Sequence, residues 1–167
     1  MGVLHRQRWC GATGLVVPLL SLASPAFLKI AGVAPSWAVL WLLPWALVDG
    51  PGSGAVAGAA LGLVLDGLHP GDVSQVPALL LLGWWWGRIG RRGAPIERSF
   101  SLGLLALLGT VLLGLSLMLQ LQWQGALPLP LVGWHTLVAQ SLVTALLAPL
   151  VCSLLLLRWR QVASLRG

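Results

Sequence analysis

Six apolar runs divide this chain of 167 residues, and each run ends at a polar or charged residue or at a break rich in glycine and proline. A helix needs about 20 residues to cross the hydrocarbon core of a bilayer, with a range of about 17–25. The second to fourth runs have only about 15 residues each, and would rise only about 22 Å as helices. The pattern predicts an all-α integral membrane protein, a bundle of about six transmembrane helices forming one polytopic domain over residues 1–167. The predicted spans are residues 11–28, 33–48, 54–68, 73–87, 100–119 and 136–157.

Two alternatives to six simple spans fit the same pattern. Residues 33–68 are also compatible with a re-entrant hairpin that is buried against the other helices. The first run is compatible with a signal peptide that is cleaved near Ser21-Leu22-Ala23. The apolar stretch continues past this point to Leu28, which favours a retained helix.

Composition indicates which solvent surrounds these helices. Hydrophobic residues make up 57% of the chain and charged residues only 8%, whereas a soluble domain has about 25% charged residues. Lipid must therefore face most of the protein. The ten basic residues outnumber the four acidic ones, but they lie between and beyond the apolar runs, where they suit anionic headgroups better than nucleic acid. We expect the lipid bilayer as a partner, and no nucleic acid.

The basic residues also predict the orientation of the chain, because cytoplasmic loops carry an excess of Lys and Arg. With six spans and the N-terminus inside, only Lys29 among the ten basic residues lies outside. The re-entrant hairpin and the signal peptide would leave the later basic residues on the same side of the membrane. Both termini are therefore predicted to be cytoplasmic. The basic residues that are predicted inside are Arg6, Arg8, Arg88, Arg91, Arg92, Arg98, Arg158, Arg160 and Arg166.

Tryptophans add a second marker of membrane position, since their amphipathic rings prefer the headgroup level. Trp37, Trp41 and Trp45 recur every four residues and therefore share one face of the second predicted helix. We interpret that stripe as lipid contact or packing in preference to a wall for ligand stacking. The tryptophans at predicted span ends are Trp9, Trp84, Trp85, Trp86, Trp123, Trp134 and Trp159.

The third run carries small residues on one helical face. Gly54, Gly58 and Gly62 are spaced by four, and Asp66 continues the series. Small residues at this spacing let a second helix approach closely, so we predict helix packing or partner contact at these four residues. An anion near a helix C-terminus is disfavoured by the helix dipole. We therefore expect His69 or the following polar loop to compensate Asp66.

The residues that could bind a metal ion or act in catalysis are scattered along the chain. His5, His69 and His135 form no metal-binding pattern, and Cys10 and Cys152 lack metal-type spacing. Ser53 has no visible partner base, and no phosphate-binding loop occurs. The sequence therefore predicts no enzyme activity, no catalytic residues, no cofactor and no metal site.

A longer pattern runs from Pro44 to Gly90. Pro44 in the second run is followed by Gly54-Ala55-Val56-Ala57-Gly58 and by Leu61-Gly62-Leu63-Val64-Leu65-Asp66, and Pro77-Ala78-Leu79-Leu80 opens the next run. In this pattern, and in its length and six runs, the chain resembles the rod shape-determining protein MreD family.

The resemblance implies a non-enzymatic, multi-pass component of the bacterial inner membrane. Such proteins belong to the cell-elongation (rod shape) complex, beside MreC-like and MreB-like proteins and peptidoglycan synthases. The family is also similar in fold to the membrane subunits of energy-coupling-factor transporters. That similarity implies an alternative function, the substrate-binding membrane subunit of a small vitamin transporter, with Trp37, Trp41, Trp123 and His135 around a pocket near the outer face.

Overall fold

The computed structural model describes residues 12–23, 32–68, 73–91, 99–124 and 131–164, and the regular elements in these ranges are helical. A 3-10 turn at Thr13–Leu15 leads into the first α-helix. The described α-helices are α1 (Val16–Ala23), α2 (Trp37–Asp49), α3 (Pro51–Leu68), α4 (Val76–Arg91), α5 (Ser99–Trp123) and α6 (Leu131–Ser164). One helix falls on each predicted run, which confirms the all-helical class.

Three of these helices are long and apolar enough to cross a membrane. They are Pro51–Leu68 in α3, Ser101–Trp123 in α5 and Gly133–Trp159 in α6. Helices α1, α2 and α4 have 8, 13 and 16 residues, and α2 is therefore only about 20 Å long. The count of six spans stays a prediction.

The helix bounds differ from the predicted spans in several places. Pro51, Gly52 and Ser53, which lie between the predicted spans 33–48 and 54–68, form the first turn of α3. A proline at the first helical position loses no hydrogen bond. Residues 33–36 precede α2 without helical structure. Helix α6 extends beyond both ends of the predicted span 136–157. The predicted first span, residues 11–28, lies partly outside the described residues.

Helix α2 is the centre of the bundle. Eleven of its 13 residues are buried, and it contacts every other described α-helix. A helix that is hydrophobic on all sides is typical of a protein interior. Pro44 interrupts its hydrogen-bond ladder because it has no N–H for the carbonyl of Leu40. The thiol of Cys152 in α6 donates to that carbonyl instead, at a sulfur–oxygen distance of 3.7 Å.

A single residue, Gly50, connects α2 to α3. Its φ is +96°, a conformation that glycine adopts without a steric penalty. Its N–H donates to the carbonyl of Ala46, and its carbonyl accepts from Gly54 N–H at 2.9 Å. The side chain of Arg91 at the end of α4 packs against Gly50. We call this end of the bundle the Gly50 end, and the opposite end, where α3 finishes, the Asp66 end.

Candidate functional site

The small-residue face of α3 packs against the backbone of α4. Gly54, Gly58 and Gly62 are buried. A Cβ atom on Gly58 would overlap the carbonyl group of Leu79, at 2.7 Å from its carbon atom. A Cβ atom on Gly62 would lie 2.6 Å from the Cα of Val76. Carbon atoms normally approach only to about 3.5–4.0 Å. Helix α4 of the same chain therefore covers the face that the sequence marks for helix packing or partner contact.

Helix α4 contributes glycines of its own, which the sequence reasoning missed. A Cβ atom on Gly83 would lie 2.5 Å from the carbonyl carbon of Gly54. Gly87 faces the Gly50–Pro51 backbone in the same way, and a Cβ atom on Gly90 would lie 2.9 Å from the carbonyl carbon of Leu47. The spacing of four between Gly83 and Gly87 could have indicated this contact, since small residues at this interval mark close helix packing.

Asp66 joins the end of α3 to the start of α4. Its Oδ2 accepts a hydrogen bond from the hydroxyl of Ser74 at 2.6 Å, and its Oδ1 accepts from the backbone N–H of Gln75 at 2.9 Å. The Ser74 hydroxyl in turn accepts from the N–H of Val76 at 3.2 Å. The carboxylate thus lies at the N-terminus of α4, where the helix dipole favours an anion. These two partners of Asp66 belong to the predicted span 73–87, whereas His69 and the loop that was expected to compensate Asp66 lie outside the described residues.

Gln120 connects α5 to this turn. Its Oε1 accepts from Ser74 N–H and its Nε2 donates to the Ser74 carbonyl, both at 2.9 Å. Its Nε2 also lies 3.4 Å from the hydroxyl of Ser116. Gln120 is the first residue after the predicted span 100–119, and no pattern in the sequence indicates this pairing. Asp66, Ser74 and Gln120 therefore form a network that joins α3, α4 and α5, which we call the Asp66 network.

Three tryptophan rings form a cluster in the core. Trp41 stacks on Trp45 with ring centroids 5.0 Å apart, and Trp159 of α6 meets both edge-on at 6.5 and 5.6 Å. The Trp41 Nε1 donates to Thr13 Oγ1, and the Trp45 Nε1 donates to Ser53 Oγ. All three tryptophans are buried. Of the two interpretations of the α2 stripe, packing therefore describes Trp41 and Trp45.

The tryptophans at the predicted span ends differ in exposure, and Trp85 is half-buried. Trp84, Trp123 and Trp134 are exposed, Trp123 most of all at 88%, which suits an interface. Trp86 and Trp159 also lie at predicted span ends but are only 0% and 3% exposed, so their rings contact protein neighbours. Gly109 makes room for the Trp86 ring, because a Cβ atom on Gly109 would overlap Cζ2 of that ring and lie 2.6 Å from its Cη2. Trp9 lies outside the described residues.

The basic residues that the structure describes gather at the Gly50 end. Gly90 contacts Leu47 and Arg91 packs on Gly50, so the last turn of α4, with Arg88, lies there. The guanidinium of Arg88 lies 5.2 Å from the centre of the Trp84 ring, within the range of a cation–π interaction. Arg158 precedes Trp159 and lies toward the same end. Arg92, Arg98 and the side chain of Arg160 are outside the described part.

Ligand-binding chemistry is sparse in the described ranges. No group of three His, Cys, Asp or Glu side chains that could hold a metal ion occurs there. Trp37 and Trp41 both line an apolar cleft between α1 and α6, but neither Trp123 nor His135 belongs to its lining. Trp123 and His135 are exposed.

In the part of the chain that the structure describes, these features define an all-helical bundle with three helices that can span a membrane, organised around a close-packed α3–α4 pair. No protein-family model, no curated protein and no solved structure matches the chain.

Proposed function

We propose that this chain is a non-enzymatic scaffold of the bacterial cell-elongation complex, acting in the inner membrane as an MreD-like protein. The observation that carries the proposal is the role of the segment that resembles the family, Pro44 to Gly90. This segment forms α2, α3 and α4, and its motif residues all act in one packed unit. Gly58 and Gly62 admit α4, and Asp66 caps that helix. In the pattern Gly62-Leu63-Val64-Leu65-Asp66, the glycine therefore permits close contact with α4 and the aspartate caps that helix.

The proposal includes six spans with both termini in the cytoplasm. Helices α1, α2 and α4 would cross by recruiting flanking residues and by local thinning of the bilayer. The clustering of Arg88, Arg91 and Arg158 at the Gly50 end supports a cytoplasmic position for that end. An MreB-like filament would then face the Gly50 end, and peptidoglycan synthesis would lie beyond the Asp66 end.

Partner contact is assigned to the exposed helix faces, because the α3 glycine face is already occupied by α4. Helix α6 presents a ridge of exposed leucines at intervals of four: Leu142, Leu146, Leu150 and Leu154. A membrane-embedded partner of the MreC type would pack along such a ridge in place of lipid. The glycines then act through the stability of the scaffold, and not through direct contact with the partner.

Depletion of the protein in its native host tests the proposal. We expect rod-shaped cells to become round, and wild-type protein supplied in trans to restore the rod. Gly67→Leu provides a matched control for Gly58→Leu, because Gly67 lies on the same helix with no atom within 4 Å of an added Cβ. Gly67→Leu should restore the rod, whereas Gly58→Leu should not. Unchanged rod shape after complete depletion would refute the scaffold function.

A further inference from the structure

A cavity of about 260 Å³ lies at the Asp66 end, between the starts of α2 and α4 and the facing sides of α5 and α6. Its polar lining includes Ser36, Gln75 and Gln140, and its apolar lining includes Trp37 and Leu117. This volume corresponds to about nine water molecules. The cavity is thus large enough for a small organic molecule and has both polar and apolar walls.

The two glutamine amides in the cavity differ from that of Gln120. Both ends of the Gln120 amide are hydrogen-bonded to Ser74. Within the described residues, the side-chain amides of Gln75 and Gln140 make no hydrogen bond, although the backbone of each does. Each amide offers two donors and one acceptor oxygen. Gln140 lies within the apolar stretch Gly133–Trp159 and is half-buried beside the cavity, so a molecule in the cavity would find the donors and the acceptor of its amide available.

The lining also defines the charge of a suitable molecule. None of the described residues that line the cavity is charged. Among the described residues, the carboxylate at this end is Asp66, and it is engaged by Ser74 and by the backbone of Gln75. A charged molecule would therefore lose its hydration without gaining a counter-ion from the described lining. An uncharged molecule would keep its hydrogen bonds through the amides and place apolar surface on Trp37 and Leu117.

We propose that this cavity binds a small uncharged molecule that carries amide-type hydrogen-bonding groups on an apolar body. The inference is independent of the scaffold function, which requires no such ligand. In this proposal, the side-chain amides of Gln75 and Gln140 recognise the ligand: their N–H groups donate hydrogen bonds to it and their oxygen atoms accept hydrogen bonds from it.

Equilibrium binding to the full chain in lipid nanodiscs tests this assignment. The probes are nicotinamide and benzamide, which are uncharged aromatic amides, and nicotinate, which has the same ring as nicotinamide with a carboxylate. We expect saturable binding of at least one amide, and binding of nicotinate that is at least tenfold weaker. Gln140→Leu, which breaks no hydrogen bond made by the side chain among the described residues, should weaken binding of the amide by about tenfold.

Gln122→Leu serves as the matched control, since Gln122 is exposed on α5 and does not line the cavity. This variant should bind the amide as the wild type does, and circular dichroism should show both variants equally helical. Absence of saturable binding by both amides would overturn the proposal. Equal binding of nicotinate and nicotinamide, or equal affinity of the Gln140→Leu and wild-type proteins, would also overturn it.

Discussion

Replacing Gly58 by alanine is the sharpest perturbation of the α3–α4 pair. The added Cβ atom would lie 2.7 Å from the carbonyl carbon of Leu79 and would overlap its oxygen. These are backbone atoms, so no side chain can rotate away. Carbon atoms at optimal contact are about 3.5–4.0 Å apart, and α3 and α4 would have to separate locally by about 1 Å.

The energetic cost follows from that separation. A gap of about 0.5–1 Å loses about a quarter to a half of the attraction of each atomic contact. Gly54 and Gly62 lie one turn away on either side, so their contacts weaken too. Overpacking of this kind costs about 1–3 kcal/mol. Alanine has a better helix propensity than glycine by up to about 1 kcal/mol, and this gain offsets part of the loss.

Gly67→Ala separates the two effects, because Gly67 is on the same helix and an added Cβ meets no atom within 4 Å. We expect Gly67→Ala to be neutral or slightly stabilising. Relative to Gly67→Ala, Gly58→Ala should raise the unfolding equilibrium constant by about 5- to 150-fold. Titration of the micellar protein with sodium dodecyl sulfate, followed by circular dichroism, measures both values. Coincident unfolding curves for the two variants would show that α3 and α4 are not in backbone contact.

The other predictions concern the Asp66 network and the tryptophan cluster, and the same titration measures them. Asp66→Ala removes two hydrogen bonds at the start of α4 and should destabilise the protein by about 1–3 kcal/mol. Gln120→Leu should cost about 1–2 kcal/mol because it releases both backbone groups of Ser74. Values near zero for both would show that water replaces the network without loss. Trp159→Ala should cost about 3–5 kcal/mol through the cavity it leaves, whereas Trp159→Phe should cost less than half as much, because the buried Trp159 Nε1 has no hydrogen-bond partner among the described residues. Equal losses for these two variants would argue against a packing role for the ring.

Hydropathy located the helices because each apolar run must satisfy its backbone hydrogen bonds within itself. It did not locate their ends. Thr144 lies within the sixth run, and its hydroxyl donates to the carbonyl of Gln140, so a polar residue there does not interrupt α6. Arg158 likewise continues the helix at the Gly50 end, since a charged side chain that reaches the interface does not stop a helix. Charged and polar residues therefore mark where an apolar run ends, and a helix can continue beyond that point.

The candidate site was predictable only in its local part. The spacing of Gly54, Gly58 and Gly62 identified a close contact, but not the helix that would make it. The partner of Asp66 was expected at His69 or in the loop after it, whereas Ser74 belongs to the predicted span 73–87 and precedes α4, which begins at Val76. Gln120 was missed because it is 46 positions from Ser74 in the sequence, and hydrophobic periodicity carries no information on such pairs. Burial of Trp159 was missed for the same reason, since the interface preference of tryptophan describes isolated helices.

The proline in α2 has a consequence for how the protein is made. The Leu40 carbonyl that Pro44 leaves without a backbone donor is served by Cys152, 112 positions later in the chain. The N–H of Ser36, just before α2, donates to the hydroxyl of Thr144, 108 positions later. Both partners belong to α6, which leaves the ribosome after the other described helices. The central helix is therefore synthesised early and enclosed late, and until α6 arrives its polar backbone groups must be covered by water or by the machinery that inserts the chain.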